Sequence, residues 1–137
     1  MDTAEALELL ARSRVARLAT VRPDGRPHVV PITLAVTDGT IVTMVDHKPK
    51  TTTRLQRLRN IEANPSVAVL VDEWDEDWDR LMWIRVDGRA RVHSDDDVWR
   101  QARDALVAKY TQYADHPPMG AAIAISIGRV TSWGNRG

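Results

Sequence analysis

Apolar residues along this chain first recur at helical spacing and then change to alternation. Ala4, Leu7, Leu9 and Leu10 fall near one face of a helix ending near Arg14, with Asp2 or Thr3 placed to cap it. Residues 15–21 then read as a strand, Arg22 to Arg26 as a tight turn, and residues 27–36 as the returning strand, because Asp24-Gly25 between apolar runs is a strong hairpin signal. A second turn over Thr37 to Thr40 predicts a third strand through Val45, so the first third of the chain reads as a three-stranded meander.

Beyond Val45 comes a cationic loop and a short helix carrying Arg54, Arg57 and Arg59, which Asn64-Pro65 stops because the residue before proline leaves helical geometry. Residues 67–71 read as a short buried strand. Residues 81–92 alternate loosely, and Asp87-Gly88 within them reads as a bulge rather than a turn, since strand-like residues continue to Val92. Ser94 to Asp97 supply a cap and an acidic first turn for a helix through Val98, Ala102, Leu106 and Tyr110, and His116-Pro117-Pro118 ends that region. A last strand is read over 121–127, followed by Arg129-Val-Thr-Ser-Trp133 near the terminus. About six strands with attached helices, and no regular βαβ alternation, predict an α+β protein built on a six-stranded antiparallel barrel.

The length of 137 residues predicts a single domain over 1–137, too short to hold separate cofactor and substrate domains. A formal charge of zero argues against a nucleic-acid or anionic-membrane binder, which needs an excess of Lys and Arg over one face. The absence of cysteine excludes disulfide frameworks, thiolate nucleophiles and sulfur-based zinc sites. No basic leader precedes an apolar run, and nowhere do roughly 18 apolar residues follow one another, so a cytoplasmic protein is expected. His28, His47, His93 and His116 are scattered without metal-ligand spacing, and no metal is expected. The acidic stretch Asp72 to Asp79 lacks the glycine that a calcium loop needs, and reads as a hairpin loop with two tryptophans. Asp95 to Asp97 are explained as a helix cap. Ser126 and Ser132 lack the Gly-x-Ser-x-Gly context of a nucleophile.

The chemistry-bearing stretch is the loop after Val45. Lys48 and Lys50 come just before Thr51, Thr52 and Thr53, which are expected to open the helix of Arg54, Arg57 and Arg59. A helix N-terminus presents unpaired N–H groups and a partial positive charge, so lysines and hydroxyls gathered there suit a phosphorylated ligand. A solvated loop and helix face is the competing reading of the same charges, and the residues by themselves do not separate the two.

In their order and spacing, several segments resemble the flavin- and deazaflavin-binding split β-barrel family, the pyridoxamine-phosphate-oxidase-like proteins. They are Leu18-Ala19-Thr20, Asp24-Gly25-Arg26-Pro27, Pro31, Lys48-Pro49-Lys50 with Arg54 to Asn60, Asn64-Pro65 before Val67 to Asp72, and Gly88 to Val92. Within that family the chain looks most like the small actinobacterial branch assigned to the deazaflavin coenzyme F420. The resemblance implies a homodimer with two equivalent cofactor sites at the interface, a small-molecule substrate, and neither nucleic-acid nor membrane partners. It implies phosphate-binding positions at Lys50, Thr51, Thr52, Arg54 and Arg57. Ring-binding positions follow at His28, Val30, Pro31 and Ile32 on one side and at Met44, Val45 and Asp46 on the other. Trp78 falls where relatives bring an aromatic over the partner's cofactor. The chain carries a few residues more than its shorter relatives in the loop, which leaves Lys50 and Arg57 both open as the main phosphate ligand. The activity implied is hydride transfer between F420 and a small or medium-sized unsaturated substrate. The alternatives are an FMN-dependent oxidoreductase of the same fold and a non-catalytic protein that holds a flavin, deazaflavin or tetrapyrrole.

Overall fold

Asp2 caps the first helix, α1 (Thr3–Arg12), by accepting a hydrogen bond from the Glu5 N–H at 2.9 Å, and the helix buries Ala6 and Leu10 against the sheet. The computed structural model describes residues 1–46 and 55–134. Seven strands follow: β1 (Ala16–Val21), β2 (Pro27–Ile32), β3 (Ala35–Thr37), β4 (Thr40–Met44), β5 (Ser66–Glu73), β6 (Met82–His93) and β7 (Ala122–Gly134). Three further helices are α2 (Gln56–Ala63), α3 (Asp97–Lys109) and the short α4 (Thr111–Asp115). A single 3₁₀ turn (Trp78–Arg80) lies between β5 and β6. The protein is therefore α+β and antiparallel as expected, with seven strands where six were read.

The extra strand arises from residues 27–36, which are not one strand. All seven strands form one sheet in the order β2-β1-β5-β6-β7-β4-β3, so β2 and β3 occupy its two opposite edges. The expected three-stranded meander is accordingly a β1–β2 hairpin and a separate β3–β4 hairpin. Only Thr33 and Leu34 join the two edges. Six strand spacings of about 4.8 Å would part the edges of a flat sheet by roughly 29 Å, whereas the three Cα steps from Ile32 to Ala35 span at most about 11 Å. The sheet must curl until its edges meet, which makes a barrel with a seam between β2 and β3.

Leu34 at the seam is fully buried, and its backbone is satisfied by side chains from the end of α3. Its N–H donates to Tyr110 Oη at 3.1 Å, and its carbonyl accepts from Lys109 Nζ at 2.8 Å. Tyr110 Oη in turn donates to the Arg14 carbonyl at 2.9 Å, and Lys109 Nζ donates to the Ser13 carbonyl at 2.6 Å. Two side chains thus close the seam where no ladder can, as buried backbone groups require.

Inward-facing Leu18, Ile41, Val69, Ile84, Val86, Ile123 and Ile125 fill the barrel. A second core forms outside it, where Ala102, Leu106 and Tyr110 of α3 pack on Ala35, Val42, Met44 and Ala122. The long antiparallel β6–β7 pair serves both regions because of a bulge between Asp87 and Gly88, at the position read from the sequence. Asp87 pairs with Arg129 and Gly88 with Ile127, so Gly128 is an extra residue on β7. The side-chain period of two would otherwise turn one half of β7 inside out; the extra residue keeps Ala124, Ser126, Thr131 and Trp133 all on the outer face.

Candidate functional site

At the seam, the end of β2 faces the end of β4 across a groove of about 530 Å³. Pro31, Ile32 and Thr33 form one wall, and Thr43, Met44, Val45 and Asp46 form the other. Leu55 and Arg57 enter from the start of α2, while Arg14, Val15 and Tyr113 close the remaining side. The groove exists because β2 and β4 are not neighbours in the sheet, so nothing pairs across the gap.

Helix α2 is held by one buried amide. Asn60 is fully buried, donates from Nδ2 to Thr20 Oγ1 at 2.9 Å, and accepts at Oδ1 from Gln56 Nε2 at 2.6 Å. With Leu58 and Ile61 also buried in the core, this fixes the helix's rotation and leaves Arg57 at the groove. The described helix begins at Gln56, with Leu55 at the N-cap and no side-chain cap, and Thr51, Thr52 and Thr53 lie outside the described residues. Burial of the Arg57 guanidinium lowers its pKa, and the charge of Asp46 opposes that effect.

Across from Arg57, Tyr113 Oη lies 2.6 Å from Asp46 Oδ1 and 3.0 Å from Thr33 Oγ1. Burial first, and then the bond to Asp46, push the Tyr113 phenol up to about 12. It is a neutral hydrogen-bonding group at ordinary pH. Met44 and Val45 are only 4% and 7% exposed, so they offer the groove a close apolar edge rather than protruding side chains.

The sequence-derived positions are therefore distributed unevenly. Pro31, Ile32, Met44, Val45, Asp46 and Arg57 come together in this groove. Val30 packs on the barrel core instead. His28, in register with Thr20, shares the face of Val30; its Nδ1 is buried with no hydrogen-bond partner among the described residues. Burial, then Arg22 and Arg57, lower the His28 pKa, so the imidazole is neutral near pH 7 and can still engage a polar group. Trp78 is 68% exposed in the 3₁₀ turn and lines no part of the groove. Lys50, Thr51, Thr52 and Arg54 lie outside the described residues, as do Lys48 and His47. Arg14, Thr33 and Tyr113 were not read as site residues. Tyr113 and Asp46 are 67 positions apart, and no local spacing signals such a contact.

A second hollow, of about 620 Å³, lies on the outer face of β1, β5, β6 and the end of β7. Trp74, Trp133 and Val29 there are 67%, 53% and 60% exposed, beside Leu70, Trp83 and Arg85. So much exposed apolar surface in one place is the mark of a contact face.

A curled antiparallel sheet with a seam groove and peripheral helices defines the split β-barrel class. The pyridoxamine 5'-phosphate oxidase family model matches residues 2–134, and the chain belongs to that family. Among solved structures it is similar to the conserved hypothetical protein Rv2991 from Mycobacterium tuberculosis, with 25% identity, a TM-score of 0.81, and coverage of 98% of this chain and 85% of that one. It is also similar to an FAD-binding protein from Mesorhizobium loti, at 26% identity, TM-score 0.75, and 96% and 92% coverage. A heme binding protein from Mycobacterium smegmatis shares the fold at 20% identity and TM-score 0.77, with 97% of this chain covering 54% of that one. No curated protein matches the chain significantly in sequence.

Proposed function

We propose that the protein is an F420-dependent oxidoreductase, transferring a hydride between the deazaflavin and a small or medium-sized unsaturated substrate. The observation that carries the reading is the seam groove itself, which joins a half-buried cation, Arg57, to an apolar slot between Pro31 and Ile32 on one side and Met44 and Val45 on the other. That donor set suits a flat aromatic ring system with an anionic tail. The cofactor would supply the redox chemistry, and the chain its binding, orientation and shelter from water. Arg57 would take a phosphate oxygen by charge-assisted hydrogen bonds, with Lys50, Thr51, Thr52 and Arg54 contributing from the preceding loop. His28, neutral and with an unspent nitrogen, would meet a polar atom of the bound group.

The groove is open to one side, and a chain of this size does not enclose a tricyclic ring system alone. A homodimer built on the exposed Trp74, Leu70 and Trp133 face would bring a second subunit to it, and would give Trp78 a place over the partner's cofactor. FMN is the second reading, favoured by the likeness at 26% identity to an FAD-binding protein. The activity test is reoxidation of chemically reduced F420, followed by return of its visible absorbance, against a panel of conjugated acceptors. Turnover of at least one acceptor is expected; a protein that binds F420 and oxidises it with none would be a holder of the cofactor and not an enzyme.

A further inference from the structure

Among the described residues, the groove beneath the N-terminal half of α3 shares no lining residue with the seam groove, and it has a volume of about 560 Å³. Its floor is the outer face of β6, β7 and β4. There the register sets Arg89 beside Ser126 and Ser126 beside Thr40, and in the next row Arg91 beside Ala124 and Ala124 beside Val42. The middle strand carries only alanine and serine in these rows, so the floor is hollow between the arginines and α3. Val98 and Gln101 of α3 form the opposite wall.

Arg89 and Arg91 stand two residues apart on one face, and therefore about 7 Å apart along the strand. Both are exposed, and neither has a carboxylate partner among the described residues. Some other arginines are matched, such as Arg26 with Asp24, Arg85 with Asp87, and Arg100 with Asp97. His93 at the rim is held by Asp96 at 2.8 Å, and among the described residues the one acid lining the groove is Asp38, in the β3–β4 turn.

We infer that this groove is a second small-molecule site, for a compound with a compact apolar body of one or two rings and a phosphate, sulfonate or carboxylate head held by Arg89 and Arg91. Two guanidinium forks at strand spacing suit the separated oxygens of such a head. Ala124, Val42 and Val98 receive the apolar body, and Thr40, Ser126 and Gln101 offer neutral hydrogen bonds at its edge. The volume is within the range of sites that hold small ligands. This inference stands apart from the cofactor reading, and neither depends on the other.

The test is an amide NMR titration of the whole chain with phenyl phosphate, and with benzyl alcohol as the uncharged control. Saturable shifts at Arg89, Arg91, Ala124, Ser126 and Gln101 are expected with phenyl phosphate and not with the alcohol. The double variant Arg89→Gln/Arg91→Gln should raise the Kd at least about tenfold, the loss expected for charge-assisted contacts. Ala124→Leu, which fills the floor without touching charge, should abolish the same shifts. Shifts confined to the seam groove, equal response to the alcohol, or an unchanged Kd in both variants would each overturn the inference.

Discussion

Asn60 is the residue on which the position of Arg57 depends. It is buried, and both ends of its amide are used, by Thr20 and by Gln56. Asn60→Ala should therefore cost about 1–3 kcal/mol in urea denaturation, since Thr20 loses its partner in the core. It should also weaken cofactor binding through Arg57, which it never touches. Tyr113 makes a separate prediction. Its folded pKa, about 12, lies above the ordinary phenol value of 10.0, so its contribution to stability is present below pH 10 and is lost as pH rises toward 12. Tyr113→Phe should flatten that alkaline loss, and absorbance titration should show the late-ionising tyrosine gone. Arg57 and Asp46 were named as candidate residues through the family resemblance, and the fold sets both at the groove. Tyr113 and Arg14 were not, because only the folded seam brings them there.

Among the elements, the β6–β7 bulge has the sharpest consequence. A Cβ on Gly88 would stand 2.4 Å from the Ser126 carbonyl oxygen and 2.9 Å from Ile125 Cγ2, and neither backbone nor core can yield cheaply. Gly88→Ala should destabilise by about 1–3 kcal/mol in thermal or urea unfolding, as overpacking does. Asp-Gly inside continuing alternation was enough to read this bulge from sequence, and acidic residues before apolar periodicity were enough to read the caps of α1 and α3. Alternation failed at Thr33-Leu34. The apolar pattern runs on through Ile32, Leu34 and Val36 while the chain passes from one sheet edge to the other, and a period of two carries no information about which edge a strand joins.

The whole molecule presents a hydrophobic face that one barrel does not use. Trp74, Leu70 and Trp133 lie exposed side by side, and a second copy of the chain is the cover proposed for them. Light scattering should give a dimer, and Trp133→Glu should move it toward monomer; a wild-type monomer would remove the shared-site account. The split-barrel class was legible from element order and the resemblance together, whereas this face was not. Its residues come from β1, β2, β5, β6, β7 and the loop after β5, and only the sheet order sets them side by side.

The most direct test of the account is a parallel titration of the protein with F420 and with FMN, read by quenching of its tryptophans, with Arg57→Gln beside the wild type. The account predicts saturable binding of F420, tighter than FMN, with the variant weakened about tenfold or more for the loss of a charge-assisted contact. Binding of neither, or equal affinities in wild type and variant, would contradict it.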